Sequence, residues 1–428
     1  MHDEWIAMLR DEVRPALGCT EPAAVAFTVA KARDFLGGQI NRIRLSVSGN
    51  IYKNALAVTI PNTAEAGLQM AAALGLLCGD VDKGLQVFTG VGMEDVIKAK
   101  ELLRKGAVDI RILKAEGVYI EARVEGEHGW AEVVVSGGHT HVTRALVNGN
   151  LVFRASDPLS LSRRKDRDLT DYSLEELIQA VEQFPLADIA FLQDGIDMNL
   201  AMAETGLALR AGLGVGAGLK DLMERGVLGS DLSNRTKMTV AAAADARMAG
   251  VDQPVMSTMG SGNQGIGAIV PVALVAREQK ASSEQTLRAL ALSHLLTAYV
   301  KTFAGRLSTM CGCAVAAGVG AAAALTWLMG GTTEQVAGAV KNMIGNLAGM
   351  ICDGAKGGCA LKLSTSAGEA ILAANLALTG VSISAKDGII EVSVEETIRN
   401  LGRLSSSGML CTEETILAIM LQKEDVAV

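Results

Sequence analysis

Residues 118–136, VYIEARVEGEHGWAEVVVS, alternate apolar and polar side chains on both sides of a short polar break. That period of two marks strands with one buried face. It recurs in NRIRLSVSGN (41–50), VDIRILKA (108–115) and ALVNGNLVF (145–153), the last carrying the Asn-Gly pair of a tight hairpin. Helical periods at 64–77 and 93–105 lie between these segments. An α+β domain with a mostly antiparallel sheet is therefore predicted within residues 38–165.

Around it the pattern is helical. Residues 3–16 and 20–36 read as N-terminal helices, grouped as 1–37, with Thr20-Glu21-Pro22 supplying a cap and a first-turn proline. The charged stretch SRRKDRDLTDYS (162–173) suits a linker, and beyond it no strand period survives. Helices are predicted at 173–182, 187–209, 212–226, 231–249, 265–279, 282–304, 313–329, 333–347 and 363–378, followed by a short hairpin and two helices over 381–421. The expected fold class is thus α+β, with the smaller sheet domain joined to a larger helical, Ala/Gly-rich domain over 166–428.

Composition narrows the functions available. A net charge of −8 with scattered signs leaves no basic footprint for nucleic acid or an anionic membrane, and 3% aromatics provide no base-stacking platform. A small-molecule substrate is the default. The charged start MHDEWIAMLRDEV is unlike a signal peptide, so a cytoplasmic protein is expected. CAVAAGVGAAAALTWLM (313–329) is Ala-rich and reads as a buried helix instead of a membrane span. Seven cysteines in a reducing compartment point to metal binding or catalysis before disulfides.

Several motifs carry chemistry weakly. GSGNQG (260–265) matches a dinucleotide fingerprint in letters only, because a helix and not a strand precedes it. Its Ser261, Asn263 and Gln264 open a helix whose free N–H groups and side-chain amides suit a carboxylate, or form an ordinary capped loop. His139 and His141 in GGHTHV are expected on one face of a strand, as a polar sheet face in preference to half a metal site. No serine-hydrolase elbow or pyridoxal lysine motif stands out. Cys19, in LGCTEPAAV, lies beside a helix N-terminus, which favours a thiolate; a small apolar residue at a turn is the other reading.

The strongest constellation is STMCGCAVAAGVG (308–320) with MICDGAKGGCALK (350–362). A C-x-C and a C-x6-C, each in a glycine-bearing loop beside an Ala-rich helix, lack zinc-finger spacing but suit an iron–sulfur cluster. Zinc and plain buried thiols remain open on spacing alone.

Taken in order, LGCTEP (17–22), VSGNIYKN (47–54), GSGNQGI (260–266), CGCAVAAG (311–318) and ICDGAKGGCALK (351–362) resemble the L-cysteine desulfidases, a serine dehydratase-like family. The architecture is similar to that of the bacterial iron–sulfur L-serine dehydratases. The resemblance implies a 4Fe-4S cluster. It aligns GCAVAAGVG with the dehydratase G-C-Q-x-E-x-G-V segment, nominating Cys313 over Cys311, and CDGAKGGC with the later cysteine pair, nominating Cys352 and Cys359. It also implies conversion of L-cysteine and water to pyruvate, ammonia and hydrogen sulfide, with the substrate thiolate on an open iron. GCTEP stands where the dehydratases carry S-S-S-H-T, which makes Cys19 the expected acceptor of the α-proton. Thr20 and Glu21 would shape the pocket, and Asn263 and Gln264, with Asn50, Lys53 and Asn62, would hold the amino acid. An L-serine or L-threonine dehydratase and a non-catalytic metabolite sensor are the rival readings. Apolar Ala-rich helices suggest a homodimer.

Overall fold

A computed structural model describes residues 2–155 and 169–426. The chain begins with α1 (His2–Glu12), the short β1 (Pro15–Leu17) and α2 (Thr20–Leu36). There follow β2 (Ile40–Ser48), α3 (Gly49–Ala55), α4 (Leu68–Cys78) and α5 (Met93–Arg104). The sheet is completed by β3 (Val108–Leu113), β4 (Tyr119–Gly126), β5 (Gly129–Ser136), β6 (Val142–Val147) and β7 (Asn150–Arg154).

The six strands run in the order β3-β2-β4-β5-β6-β7, and only the β2–β3 pair is parallel. Register explains the alternation in the sequence. Ile120 faces Val135, Ala122 faces Val133 and Val124 faces Ala131, and all six are buried in the core that α2 and α4 cover.

The second body is helical: α6 (Leu174–Gln183), α7 (Leu186–Ile189), α8 (Leu192–Leu209), α9 (Val215–Glu224) and α10 (Leu232–Met248). After the three-residue β8 (Pro254–Met256) come α11 (Gly262–Glu278), α12 (Ser283–Ala304), α13 (Val315–Leu328), α14 (Thr333–Leu347) and α15 (Cys359–Leu378). The chain ends with α16 (Val394–Arg403) and α17 (Leu410–Val426). At the centre, α13 is buried from Val315 through Thr326 and packs on α11, α12, α14 and α15. Among the described residues no helix is long and apolar enough to cross a membrane.

The two N-terminal helices part company. Trp5, Ile6 and Leu9 of α1 belong to the helical core, whereas α2 from Ala23 onward belongs to the sheet core. β1 pairs antiparallel with β8, so the segment leading into α2 is sewn to the segment leading into α11. Cys19 and Ser261, each at a helix start, are brought to the same junction.

Three expectations fail for visible reasons. No hairpin forms after α15 among the described residues: side chains of α14 and α16 take the backbone groups a ladder would have used. Asn342 Oδ1 accepts from the Ile383 N–H, Lys341 Nζ donates to the Val392 carbonyl and Thr397 Oγ1 accepts from the Glu391 N–H, at 3.0, 2.6 and 2.9 Å. The strand expected to run to Asn50 stops at Ser48, which caps α3. His139 and His141 lie in the turn between β5 and β6, not on a strand; His139 is buried and His141 exposed. The expected linker falls largely at 162–168, outside the described residues.

His294, inside α12, supplies a pH-dependent component of stability. Its Nδ1 lies 2.6 Å from Thr258 Oγ1, and burial lowers its pKa to about 3. The unfolded chain therefore takes up a proton that the folded chain refuses, and stability present above pH 6.5 is lost as pH falls towards 3. In urea titrations His294→Gln is expected to remove up to about 1.4 kcal/mol per pH unit from the acid slope; an unchanged slope rejects this role.

Candidate active site

A partly open chamber of about 60 Å³ lies between the start of α2 and the segments that lead into α11, α13 and α15. Cys19, Thr20 and Glu21 form one wall at the start of α2, and Cys311, Cys313, Cys352 and Cys359 form the opposite one. Asn263 and Gln264, from the first turn of α11, close the chamber together with Arg247 of α10 and Lys301 of α12.

The cysteine wall is built by two loops tied through backbone bonds. The Cys311 N–H donates to the Met350 carbonyl at 2.8 Å and the Cys352 N–H to the Thr309 carbonyl at 2.6 Å. Backbone geometry accounts for Gly354, the first of the glycines between Cys352 and Cys359. Its φ is +97°, and a Cβ there would stand 2.5 Å from the Lys53 carbonyl oxygen. Asp353 braces the same loop by pairing with Lys356 and Lys362. Cys359 opens α15, where its Sγ faces the Gly354 carbonyl at 3.8 Å.

Charge is distributed unevenly over these thiols. Burial raises the pKa of Cys352, and that of Cys359 to about 12. The neighbouring Cys311 thiol pulls Cys313 down and is itself pushed up; Ser261, 3.5 Å from the Cys313 sulfur, and the charges of Arg247 and Lys301 also favour a Cys313 thiolate. Lys301 is lowered to about 8 by burial, against the pull of Cys313, Cys352 and Cys311.

Thiols with buried cations beside them are the donor chemistry that iron–sulfur clusters take. Among the described residues no three His, Cys, Asp or Glu side chains gather tightly enough for a single metal, and four cysteines line one cavity. A polynuclear cluster needs its thiolates spread around it, and nearby cations offset their charge. Cys313, Cys352 and Cys359 would hold it, with Cys311 beside them.

Across the chamber Cys19 is the N-cap of α2, yet it is not the low-pKa thiolate expected there. Burial, followed by the Glu21 carboxylate, pushes its thiol well above the ordinary range, overriding the helix terminus. Its Sγ donates to Glu21 Oε2 at 2.9 Å. Glu21 also accepts from Thr20 Oγ1 at 3.1 Å and Asn54 Nδ2 at 3.1 Å. Burial would raise this carboxyl, but the His139 ring, when protonated, and the Cys19 S–H outweigh it and hold the pKa at about 2.

Eight of the sequence-predicted residues meet here: Cys19, Thr20, Glu21, Asn263, Gln264, Cys313, Cys352 and Cys359. Asn50, Lys53 and Asn62 do not line the chamber. Lys53 binds both carboxylate oxygens of Glu413, each at 2.9 Å, beside the cysteine loop, where its charge favours a Cys352 thiolate. Asn62 sits in a turn with φ +60°. Asn54, Arg247 and Lys301 are among the polar residues that sequence reasoning missed: Asn54 closes the VSGNIYKN motif, whereas nothing in the local sequence distinguishes Arg247 and Lys301 from other polar groups on helices.

The chamber thus combines thiols, a carboxylate and buried cations. A model of the serine dehydratase alpha chain family matches residues 82–418, and the chain belongs to that family. The match contains all four chamber cysteines of the helical body and begins downstream of Cys19, Glu21 and Asn54. Similarity to whole proteins extends further. A UPF0597 protein of Clostridium botulinum (strain Hall) is 42% identical over 419 residues, covering 97% of this chain and 96% of that protein. UPF0597 proteins of Alkaliphilus oremlandii and Clostridioides difficile (strain 630) are 43% and 44% identical, over 98% and 96% of this chain and 98% of each relative.

Proposed function

We propose that this chain is an iron–sulfur-dependent L-cysteine desulfidase, which eliminates sulfide from its substrate and yields pyruvate and ammonia. The observation that carries the proposal is the single chamber joining the cysteine wall to the Cys19–Glu21 pair. A 4Fe-4S cluster on Cys313, Cys352 and Cys359 would supply Lewis acidity towards the departing group, with iron's affinity for sulfur favouring a thiol substrate.

The chain's own residues supply the rest. Arg247 and Lys301 are buried cations suited to the substrate carboxylate. Asn263 Oδ1 and Gln264 Oε1 are buried acceptors without a hydrogen-bond partner among the described residues. An α-ammonium group would satisfy both, which removes the cost of leaving them unpaired. Cys19, once its own proton has moved to Glu21, accepts the α-proton. Elimination releases aminoacrylate, which water converts to pyruvate and ammonia without further help from the protein.

The family match also supports elimination of water from L-serine. Anaerobically reconstituted protein, given L-cysteine and L-serine in parallel, separates the two. Equal yields of pyruvate and sulfide from L-cysteine, with L-serine much slower, are expected. Faster turnover of L-serine would make the chain a dehydratase, and no pyruvate from either would end the lyase reading.

A further inference from the structure

The chamber has a larger neighbour. A cleft of about 610 Å³ opens between the two domains, lined by residues including Glu12, Arg14, His139, His141 and Arg306. His139 stands at the partition: it lines this outer cleft while its Nε2 lies 3.7 Å from Oε1 of Glu21, which lines the inner chamber. The ring is 4% exposed, and neither nitrogen has a hydrogen-bond partner among the described residues. Space for it is made by Gly260, whose φ is +75° and where a Cβ would stand 2.6 Å from Nδ1. A buried imidazole with both nitrogens unsatisfied is costly unless it exchanges protons or binds something.

We propose that His139 is the terminus of a Cys19–Glu21–His139 proton relay connecting the inner chamber to the outer cleft. It rests on the reading of Cys19 as the base. The Cys19 S–H breaks as an O–H forms on Glu21; the carboxyl then turns, and that O–H breaks as an N–H forms on His139 Nε2. The result is a thiolate, a carboxylate and an imidazolium, with total charge unchanged. The imidazolium offsets two anions that a buried site would otherwise hold side by side. Cys19 then takes the α-proton, and His139 passes its proton to water in the cleft once a shift of the ring uncovers its buried nitrogens, restoring the starting state. The 3.7 Å separation must shorten for transfer, as hydrogen bonds of substrate-free sites commonly do. His139 acts through Glu21 and does not touch substrate, so it is a positioning and relay residue.

The test combines turnover with a readout that needs neither substrate nor cluster. In the full chain without its cluster, iodoacetamide labelling of Cys19, followed peptide by peptide at neutral pH, is expected to slow at least about ten-fold in His139→Ala and His139→Gln. The reconstituted variants should retain their iron and their KM for L-cysteine, while kcat falls by about 10²-fold, the scale of a lost proton-transfer partner. Added imidazole, which the open cleft admits, should restore both labelling and turnover in His139→Ala but not in His139→Gln. His141→Ala, altering the same cleft, should behave as wild type. Unchanged Cys19 labelling in both variants, or a loss that imidazole leaves untouched in a folded His139→Ala chain, overturns the relay. Because labelling does not depend on the substrate, a protein inactive on L-cysteine with His139-dependent labelling would contradict the proposed function and leave the relay standing.

Discussion

Serine in place of Cys313, Cys352 or Cys359 is expected to yield a folded chain that no longer keeps its iron and whose turnover falls by more than about 10³-fold. The magnitude follows from the several kcal/mol that a Lewis acid contributes to an elimination. Serine retains the size but offers a harder, far less acidic ligand, which iron–sulfur sites disfavour. Folding should survive because the loops do not depend on metal: backbone bonds from Cys311 to Met350 and from Cys352 to Thr309 already join them. Iron and acid-labile sulfide per chain, read beside circular dichroism, separate ligand loss from collapse. Cys78, whose Sγ bonds to the Leu74 carbonyl of its own helix, and the exposed Cys411 serve as controls that keep full iron. Cys311→Ser should also retain iron, since Cys313, Cys352 and Cys359 are the proposed ligands. Iron retained in Cys313→Ser, Cys352→Ser or Cys359→Ser removes that residue from the ligand set.

How far the sequence could be read depended on whether a residue's role was set by its local neighbours. The period of two in β4 and β5 and the caps at Ser173, Ser282 and Thr332 are local signals, and those elements form as expected. α3 shows the opposite case. GNIYKNA has no strong helical period, and the helix it forms was not expected. In a helix, Lys53 and its neighbour Asn54 point about 100° apart, so Lys53 reaches Glu413 on α17 while Asn54 reaches Glu21. The pairing of Lys53 with Glu413 spans nearly the whole chain, and no window of sequence contains it. Arg247 and Lys301 were hidden for the same reason. Each follows an Ala-rich or apolar helical stretch as an ordinary last-turn cation, and only the packing of α10 and α12 against the cysteine loops turns it inward. His139 illustrates a change of period: β5 ends at Ser136, so the alternation that would pair His139 with His141 has already stopped.

Cys19→Ser is expected to keep its cluster and lose about 10²- to 10⁴-fold in kcat, the usual contribution of a general base; near-normal turnover eliminates Cys19 from that role. Glu21→Gln discriminates more sharply, because two effects oppose each other. Removing the carboxylate takes away an anion that raises the Cys19 pKa, so simple electrostatics makes the thiolate easier to form and the enzyme faster. The same change deletes the group that receives the Cys19 proton at 2.9 Å, and an amide cannot carry it onward. With Cys19 buried and the nearest other acceptor, the Asn54 carbonyl, at 3.9 Å and unable to take a proton, loss of the acceptor should dominate. Glu21→Gln is therefore expected to be as slow as Cys19→Ser. If the two act as one unit, the double variant will be no slower than either single one, since groups that work together lose their effect together. Multiplying losses would instead mean that Glu21 contributes separately, for example by binding the substrate ammonium, and a rise in KM confined to Glu21→Gln would identify that role.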